Sequence, residues 1–288
     1  MTDSTVSITF DGANCGSIEL DFDCALGGRA TSWLVDGAEL LAMHGSDPVE
    51  HGMYVMAPWA GRLTNNAFEY QDVYAQFPAN YGHWALHGVV MNSPCPPPVI
   101  TETAENVQAV FTSELTGWPW PAQVQTTWVL DRTGLRTAIE VSAPAHSAVT
   151  FPAVVGWHPW FRREILPGSF ASWSAPSAQL AVRDGAFATG ELVPLEMAIG
   201  PFDDAFHVPE RTLTLAWPGW GQIVVENSAP WFVVFDELPG SLCIEPQSDA
   251  PNAMNVPIIE PCQTVRADQP LRLVTSWRIE RDGLSSSS

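Results

Sequence analysis

The chain has 288 residues, and 46% of them are hydrophobic, which is typical of a globular protein with a sizeable core. Asp and Glu number 32 against 12 basic residues, all of them arginine, so the formal net charge is −20. Nucleic acids and anionic membranes are bound through clustered basic side chains, so neither is expected as a partner. The absence of lysine excludes a P-loop and a pyridoxal phosphate anchor. A neutral or weakly charged small molecule is the simplest partner.

The chain is predicted to consist of short β-strands. Its 21 glycines and 25 prolines are spread along the sequence, which favours strands joined by tight turns. In chain order, the strand-like segments are TVSITFD, GSIELDF, RATSWLVDGAELLAM with a hairpin at Asp36-Gly37, FEYQDVYAQFP, VQTTWVLDRTGLRTAIEVSA with a turn at 131–134, RTLTLAW, GQIVVENSAPWFVVFDE and LRLVTSWRIER. These segments predict more than a dozen strands.

Helices are expected to contribute little, with short helical turns near 46–53 and 251–255. The proline-rich stretch SPCPPP at 93–98 is interpreted as a loop, because strand-like sequence continues on both sides of it. No linker or repeat divides the chain. We therefore predict one large antiparallel β domain over residues 1–288, with two packed sheets and frayed ends at about 1–4 and 283–288.

The cysteines and the N-terminus point to the cytoplasm. An odd number of cysteines without any C-x-x-C indicates free thiols in a reducing compartment; they are Cys15, Cys24, Cys95, Cys243 and Cys262. The N-terminal sequence MTDSTVSITF lacks the basic and apolar regions of a signal peptide. No apolar stretch approaches the roughly 20 residues that span a bilayer.

Polar side chains in apolar or glycine-rich surroundings are the candidates for a functional site. Arg62 in APWAGRL is either a surface residue packed on Trp59 or a bidentate donor to ligand oxygens. In HWALHG, His83 and His87 have zinc-like spacing, but Gly88 follows and no carboxylate motif accompanies them. A single functional His87 is therefore preferred to a metal site.

Two further segments carry possible acid/base groups. His158, in GWHPWF, is either a satisfied core histidine or a general acid or base. Glu245 follows an apolar run in SLCIEPQSDAPNAMN, where desolvation would raise its pKa, unless the side chain turns outward. Asp203 in GPFDDAFH is a weaker candidate, because paired aspartates are common in turns.

No motif supports nucleophilic, hydride or phosphoryl chemistry. The sequence contains no G-x-S-x-G, no G-x-G-x-x-G at a helix start and no Walker loop. Acid/base chemistry with one glutamate and two histidines remains.

Taken together and in this order, these segments resemble the aldose 1-epimerase (galactose mutarotase) family. APWAGRL is similar to that family's P-x-x-N-R-I segment, ALHG to L-H-G, TGWPWP to G-Y-P, GWHPWF to H-x-Y-F, FDDAF to D-H/D-x-F, and CIEPQSDAPNAMN to E-x-Q…P-D-A-x-N. The matches span residues 57–255.

The resemblance implies a large β-sandwich of the galactose mutarotase type, with an open cleft on one concave face. It implies that Glu245 is the general base at the anomeric hydroxyl and that His158 is the general acid at the ring oxygen. The remaining binding residues that it implies are Arg62, His87, Asp203, Gln247 and Trp160. The substrate would be a free aldohexose, and no metal or organic cofactor would be needed. The protein would be a monomer or a homodimer.

Three positions depart from the family pattern: Gly61 replaces asparagine, Trp160 replaces tyrosine, and Asp204 stands where some relatives have histidine. These changes bear on which sugar is bound. Two alternatives stay open, a hexose-6-phosphate 1-epimerase using Arg162 and Arg163 for the phosphate, and a non-catalytic sugar-binding domain.

Overall fold

The computed structural model describes residues 4–43 and 47–283 of the chain. Almost all of the regular structure is β, and the strand pairings are antiparallel, as predicted. Frayed ends were expected at about 1–4 and 283–288. Of these residues, 1–3 and 284–288 lie outside the described part of the chain. Within the described part of the chain, no helix has both the length and the apolar character needed to cross a membrane.

The larger sheet has eleven strands. In spatial order they are β1 (Thr5–Ala13), β2 (Gly16–Asp23), β3 (Arg29–Val35), β5 (Met53–Met56), β13 (Gly156–Arg162), β23 (Ser241–Gln247), β22 (Trp231–Phe235), β19 (Asp203–His207), β17 (Gln179–Asp184) and β18 (Phe187–Pro194), with β4 (Ala38–Glu39) paired to β3.

The second sheet has eight strands. In spatial order they are β16 (Ser172–Ser174), β20 (Thr212–Trp217), β21 (Gly221–Asn227), β25 (Leu271–Arg281), β11 (Gly134–Ser142), β10 (Gln123–Asp131), β9 (Asn106–Glu114) and β8 (Val99–Glu102). Three further sheets have two strands each: β6 (Ala67–Tyr70) with β7 (Val73–Gln76), β12 (Phe151–Pro152) with β24 (Thr264–Val265), and β14 (Glu164–Leu166) with β15 (Ser169–Phe170). Short 3₁₀ helices lie at Cys24–Leu26, Pro48–Glu50, Thr64–Asn66 and Leu195–Met197.

Aromatic side chains fill the space between the two large sheets. Phe22 of the larger sheet contacts Trp128 of the second sheet edge-on at 5.0 Å, and Trp128 also contacts Trp157 at 4.6 Å. Trp33 and Trp277 make a similar contact at 6.2 Å. These rings belong to one buried cluster that draws on both sheets, so the inner faces of the sheets form the core of a sandwich.

The central strands of the larger sheet are buried on both faces. In β13, Trp157 and Phe161 belong to the core between the sheets, whereas Trp160 belongs to a second buried cluster on the opposite face. Successive side chains of a strand point to opposite faces, so His158 shares the face of Trp160. The sequence of strand β13 is almost continuously apolar because both of its faces are buried, each in a different cluster.

The local predictions from turn chemistry are confirmed. Asp36 and Gly37 both have positive φ angles, 49° and 77°, in the two-residue connection between β3 and β4. The turn at 131–134 joins β10 to β11, and SPCPPP at 93–98 contains no strand. Of the two expected helical turns, the first contains the 3₁₀ helix Pro48–Glu50, and the second is a run of hydrogen-bonded turns at 251–255.

Candidate active site

A cavity of about 270 Å³ lies on the face of the larger sheet that is turned away from the second sheet. Its volume is close to the lower end of the range of about 300–1,000 Å³ that is usual for small-molecule sites. Strands β13, β19, β22 and β23 form its floor, and the 3₁₀ helix Pro48–Glu50, the loops at 61–62 and 81–87 and the hairpin of β17 and β18 contribute to its walls. The cavity is lined by every residue predicted for the site: Arg62, His87, His158, Trp160, Asp203, Glu245 and Gln247.

His158 and Glu245 are cross-strand neighbours at the floor of the cavity. The antiparallel register of β13 and β23 pairs Gly156 with Gln247 and Trp160 with Cys243, which puts His158 opposite Glu245. Their side chains meet, with His158 Nε2 3.3 Å from Glu245 Oε1. Both are buried, at 5% and 3% exposure, so sequence positions 87 residues apart form one closely coupled pair.

Burial opposes the charge on each member of this pair. Desolvation raises the pKa of Glu245 well above its usual value, and the nearby charge of Asp203 raises it further. Desolvation also lowers the pKa of His158, and the Arg29 guanidinium lowers it further. The pair therefore favours the state in which Glu245 is protonated and His158 is neutral. In that state the two residues share one titratable proton.

His158, Tyr54 and Arg29 form a column of three side chains. The Tyr54 ring stacks on the His158 ring at 4.7 Å with an interplanar angle of 18°, and the Arg29 guanidinium carbon lies 4.5 Å from the centre of the Tyr54 ring. Arg29 is 1% exposed and donates to backbone carbonyls, among them those of His51 at 2.8 Å and Met91 at 3.2 Å. A buried cation held by neutral dipoles thus lies over the ring of the tyrosine that stacks on His158.

Two short backbone bridges hold Arg62 and His87 side by side at the wall of the cavity. Ala57 pairs with Gly88, and Arg62 pairs with Leu86. His87 has a φ of 59°, and its Nδ1 accepts a hydrogen bond of 3.2 Å from the Gly61 amide. Because Nδ1 is an acceptor, a neutral His87 carries its proton on Nε2 and can donate there. Burial, the nearby His158 and Arg62 all lower the pKa of His87.

The charged groups of the cavity form a chain across its wall. Arg62 Nη1 lies 3.6 Å from Asp203 Oδ2, and Arg183 Nη1 lies 4.0 Å from the same oxygen. Arg183 Nε also contacts Asp204 Oδ1 at 2.5 Å. Both aspartates therefore have guanidinium partners, and the residue that replaces histidine in some relatives, Asp204, pairs with Arg183.

Gln247 contacts Glu245, and Trp160 lies next to His158. Gln247 Nε2 donates to Glu245 Oε2 at 3.2 Å, which holds the oxygen that does not face His158. Gln247 Oε1 is buried without a hydrogen-bond partner among the described residues. The Trp160 indole N–H donates to the Val49 carbonyl at 2.8 Å, and its ring lies 5.3 Å from that of His158. Trp160 thus presents ring surface to the cavity.

The position of Gly61 has a local explanation. Its φ is +71°, and a Cβ at this residue would lie 2.6 Å from Pro251 Cβ. Pro251 also lines the cavity, so this proline occupies the space that a side chain at position 61 would need.

Arg162 and Arg163 do not line the cavity. Arg162 Nε donates to the Leu41 carbonyl, whereas Arg163 donates to the carbonyls of Asp236, Leu238 and Ser241. Both arginines therefore hold backbone at the end of β13, outside the lining of the cavity.

Sequence reasoning missed several residues of the site. Arg183 and Phe187 come from the hairpin of β17 and β18, and the Asp184-Gly185 dipeptide between them was an available hairpin signal. The Phe187 ring contacts Trp84 at 5.5 Å, which joins this hairpin to the 81–87 loop. Other polar lining residues that were not predicted include Glu50, Tyr81 and Asn252.

Comparison with solved structures finds the same fold in proteins of low sequence identity. A galactose mutarotase-like protein from Clostridium acetobutylicum matches with a TM-score of 0.82 at 18% identity, over 96% of this chain and 95% of that one. A galactose 1-epimerase from Lactobacillus acidophilus matches with a TM-score of 0.73 at 12% identity, over 96% and 98%. A GalM/aldose epimerase homologue from C. elegans matches with a TM-score of 0.74 at 13% identity, over 96% and 99%.

The sequence itself matches a family model. No curated protein sequence matches the chain significantly. The model of the aldose 1-epimerase family, in contrast, matches residues 24–258, which include every residue predicted for the site. The chain therefore belongs to the aldose 1-epimerase family.

Proposed function

We propose that this protein is an aldose 1-epimerase that interconverts the α and β anomers of a free aldohexose. The observation that carries the proposal is the buried contact of 3.3 Å between His158 Nε2 and Glu245 Oε1 at the floor of a cavity of monosaccharide scale. Ring opening needs a proton removed from one oxygen and a proton delivered to another, and this pair offers both groups within one site.

In the proposed reaction, the Glu245 carboxylate takes the proton of the anomeric hydroxyl while protonated His158 donates to the ring oxygen. The bond between C1 and the ring oxygen breaks, and C1 becomes an aldehyde. Rotation about C1–C2 turns the other face of the aldehyde toward the attacking hydroxyl. In ring closure, Glu245 returns a proton to the carbonyl oxygen and His158 takes one from that hydroxyl.

The environment of the pair suits this exchange. Ring opening converts charged Glu245 and His158 into their neutral forms, which are the forms that burial favours. Desolvation therefore strengthens Glu245 as a base and protonated His158 as an acid in the same step. The pair carries one proton at the beginning and at the end, so closure can follow without proton exchange with solvent.

The other lining groups are proposed to hold the sugar. Arg62 and the Nε2–H of His87 are donors to hydroxyl or ring oxygens, whereas Asp203 and the unpartnered Gln247 Oε1 are acceptors for hydroxyl protons. Trp160 contributes a flat apolar surface for the C–H groups of a pyranose.

The charge distribution favours a free sugar over a sugar phosphate. Both cavity arginines, Arg62 and Arg183, already have aspartate partners, and Arg162 and Arg163 are engaged by backbone carbonyls. A phosphate would therefore compete with carboxylates for its cations.

The test is polarimetry with freshly dissolved α-D-glucose and α-D-galactose, with the corresponding 6-phosphates compared at equal concentration. We expect faster equilibration of the free sugars and little effect on the phosphates. Acceleration of the phosphates alone would favour the hexose-6-phosphate epimerase instead.

Glu245→Gln is the matched variant, because it keeps the shape of the side chain and removes the base. We expect it to fold, to bind sugar and to lose roughly 10²–10⁴-fold in turnover. Parent-like turnover in this variant would refute the mechanism. A parent protein that binds sugars without accelerating their equilibration would instead be a binding domain.

A further inference from the structure

A third chemically reactive side chain adjoins the Glu245–His158 pair. Cys243 precedes Glu245 by two positions in β23, so both project from the same face of the strand. Cys243 Sγ, a ring nitrogen of His158 and a Glu245 carboxylate oxygen all lie within 4.8 Å of one another. The proposed ring opening uses the histidine and the glutamate but has no role for the thiol.

These three atoms are the donor types that Zn²⁺ prefers, and their spacing is close to what the ion requires. With Zn–N and Zn–O bonds of about 2.0–2.1 Å and tetrahedral angles, nitrogen and oxygen ligands lie about 3.3–3.4 Å apart. The His158–Glu245 contact is 3.3 Å. A sulfur ligand belongs about 3.5 Å from each of the others, so Cys243 Sγ needs to approach by at most about 1.3 Å.

The surroundings leave one coordination position open. His158 and Glu245 line the cavity, whereas Cys243 is fully buried next to them and does not line it. An ion held by the three would therefore have its fourth position on the cavity side, which is the arrangement of open zinc sites. Gln247 Nε2, which donates to the other oxygen of Glu245 at 3.2 Å, would orient the carboxylate from the second shell.

We propose that His158, Cys243 and Glu245 form an inhibitory site for Zn²⁺ and other thiophilic divalent cations. Binding releases the thiol proton of Cys243 and the single proton that Glu245 and His158 share, and it forms metal–sulfur, metal–nitrogen and metal–oxygen bonds without any change of oxidation state. The ion occupies both groups that move protons in ring opening. The inhibition rests on the proposed epimerase function, whereas the metal binding does not.

The binding test uses Co²⁺ as a spectroscopic probe on protein treated with a chelator and then freed of it. We expect the parent to bind one Co²⁺ with a near-ultraviolet thiolate-to-cobalt charge-transfer band and a tetrahedral visible spectrum. Cys243→Ser, which is close in size to cysteine, should lose that band. Cys243→Ala provides a second variant if the serine protein does not fold.

Zinc affinity separates this site from the many surface carboxylates. Equilibrium dialysis with Zn²⁺ should show one tight site in the parent, weakened at least about 10–100-fold in Cys243→Ser, since losing a ligand costs no less than losing a second-shell partner. An unchanged affinity, or a bound cobalt without the charge-transfer band, would mean that only adventitious carboxylate sites bind the ions and would overturn the proposal.

A second experiment measures whether the bound ion inhibits the equilibration of sugars. In metal-free buffer, Cys243→Ser should equilibrate sugars at the parent rate, because the thiol is outside the proposed acid/base machinery. Added Zn²⁺ should inhibit the parent at concentrations that leave the variant active, and equal inhibition of both would count against the site. If the parent itself has no epimerase activity, the cobalt spectrum still decides the metal site independently.

Discussion

Removing the positive charge of Arg29 should shift the pH dependence of turnover toward alkaline pH. Burial lowers the pKa of Arg29 to about 10, so the side chain is still charged at neutral pH. The two ring contacts in the column, 4.5 Å and 4.7 Å, place its guanidinium at most about 9 Å from the centre of the His158 ring. At an effective dielectric constant of about 20, two unit charges at that distance repel by about 1.8 kcal/mol.

That energy corresponds to a little over one pKa unit. Because the cation disfavours protonated His158, Arg29→Met should raise the pKa of His158 by about that amount. The change should move the acidic limb of the pH–rate profile upward by about one unit and the alkaline limb by less, since Arg29 shifts the pKa of His158 but is not among the charges that shift that of Glu245. Tyr54, His87 and Glu245, which also face His158, are unchanged in the variant.

The pKa of His158 is lowered to about 3, so the assay is polarimetric kcat/KM between pH 2.5 and 9 for the parent, Arg29→Met and Arg29→Lys. The lysine variant keeps the charge at acidic pH and should keep the parent's acidic limb even if its turnover falls. Arg29→Met leaves buried carbonyls unpaired at about 1–3 kcal/mol each, so thermal unfolding should be measured alongside and the kinetics run well below the transition. If Arg29→Met is folded and the limbs of its pH–rate profile lie at the same pH as those of the parent, the electrostatic reasoning is refuted.

Three other variants test separate features of the structure. Gly88→Ala puts a Cβ 1.9 Å from the Ala57 carbonyl oxygen at a φ of +81°, whereas Gly117→Ala has a similar φ of +89° in open space. Urea denaturation should show a loss of about 1–2 kcal/mol for Gly117→Ala and a clearly larger one for Gly88→Ala, and equal losses would mean that the close approach to Ala57 is harmless. The pKa of Asp249 is raised by burial from 3.8 to about 6, so its contribution to stability is present at low pH and is lost as the pH rises through about 6. Between pH 5 and 8 the parent should lose about 1.4 kcal/mol that Asp249→Asn retains, as measured by denaturation at the two pH values. Arg163→Ala should lower the unfolding free energy by about 1–3 kcal/mol through its lost carbonyl contacts but leave turnover of free sugars and sugar phosphates unchanged, and a selective loss with phosphates would restore the phosphate role.

The sequence predicted the fold class because the strands carry a period of two and their turns carry recognisable residues. Asp36-Gly37 and the prolines of 93–98 mark breaks that follow from local backbone chemistry alone. The assembly of eleven and eight strands into two sheets depends on pairings between distant segments, such as β13 with β5 and β23, which no local pattern encodes.

The same distinction applies to the site. His158 and Glu245 were suggested by polar residues in apolar runs, and the resemblance to a family gave them roles that remain predictions. Arg29 could not be found in this way, because its partners at His51 and Met91 lie 22 and 62 positions away. Cys243 looked like an ordinary buried thiol, since its nearness to His158 depends on the register between two strands.

The chemical type of the cations that line the cavity bears on covalent damage to the protein during turnover. Among the described residues of the cavity, its permanent cations are the guanidinium groups of Arg62 and Arg183, and the chain has no lysine. An opened sugar exposes an aldehyde, which condenses readily with primary amines, whereas a guanidinium at neutral pH stays protonated and is a poor nucleophile. On the proposed function, the reactive intermediate is held by charges that cannot form a Schiff base with it, so repeated ring opening does not lead to glycation of a lysine in the enzyme.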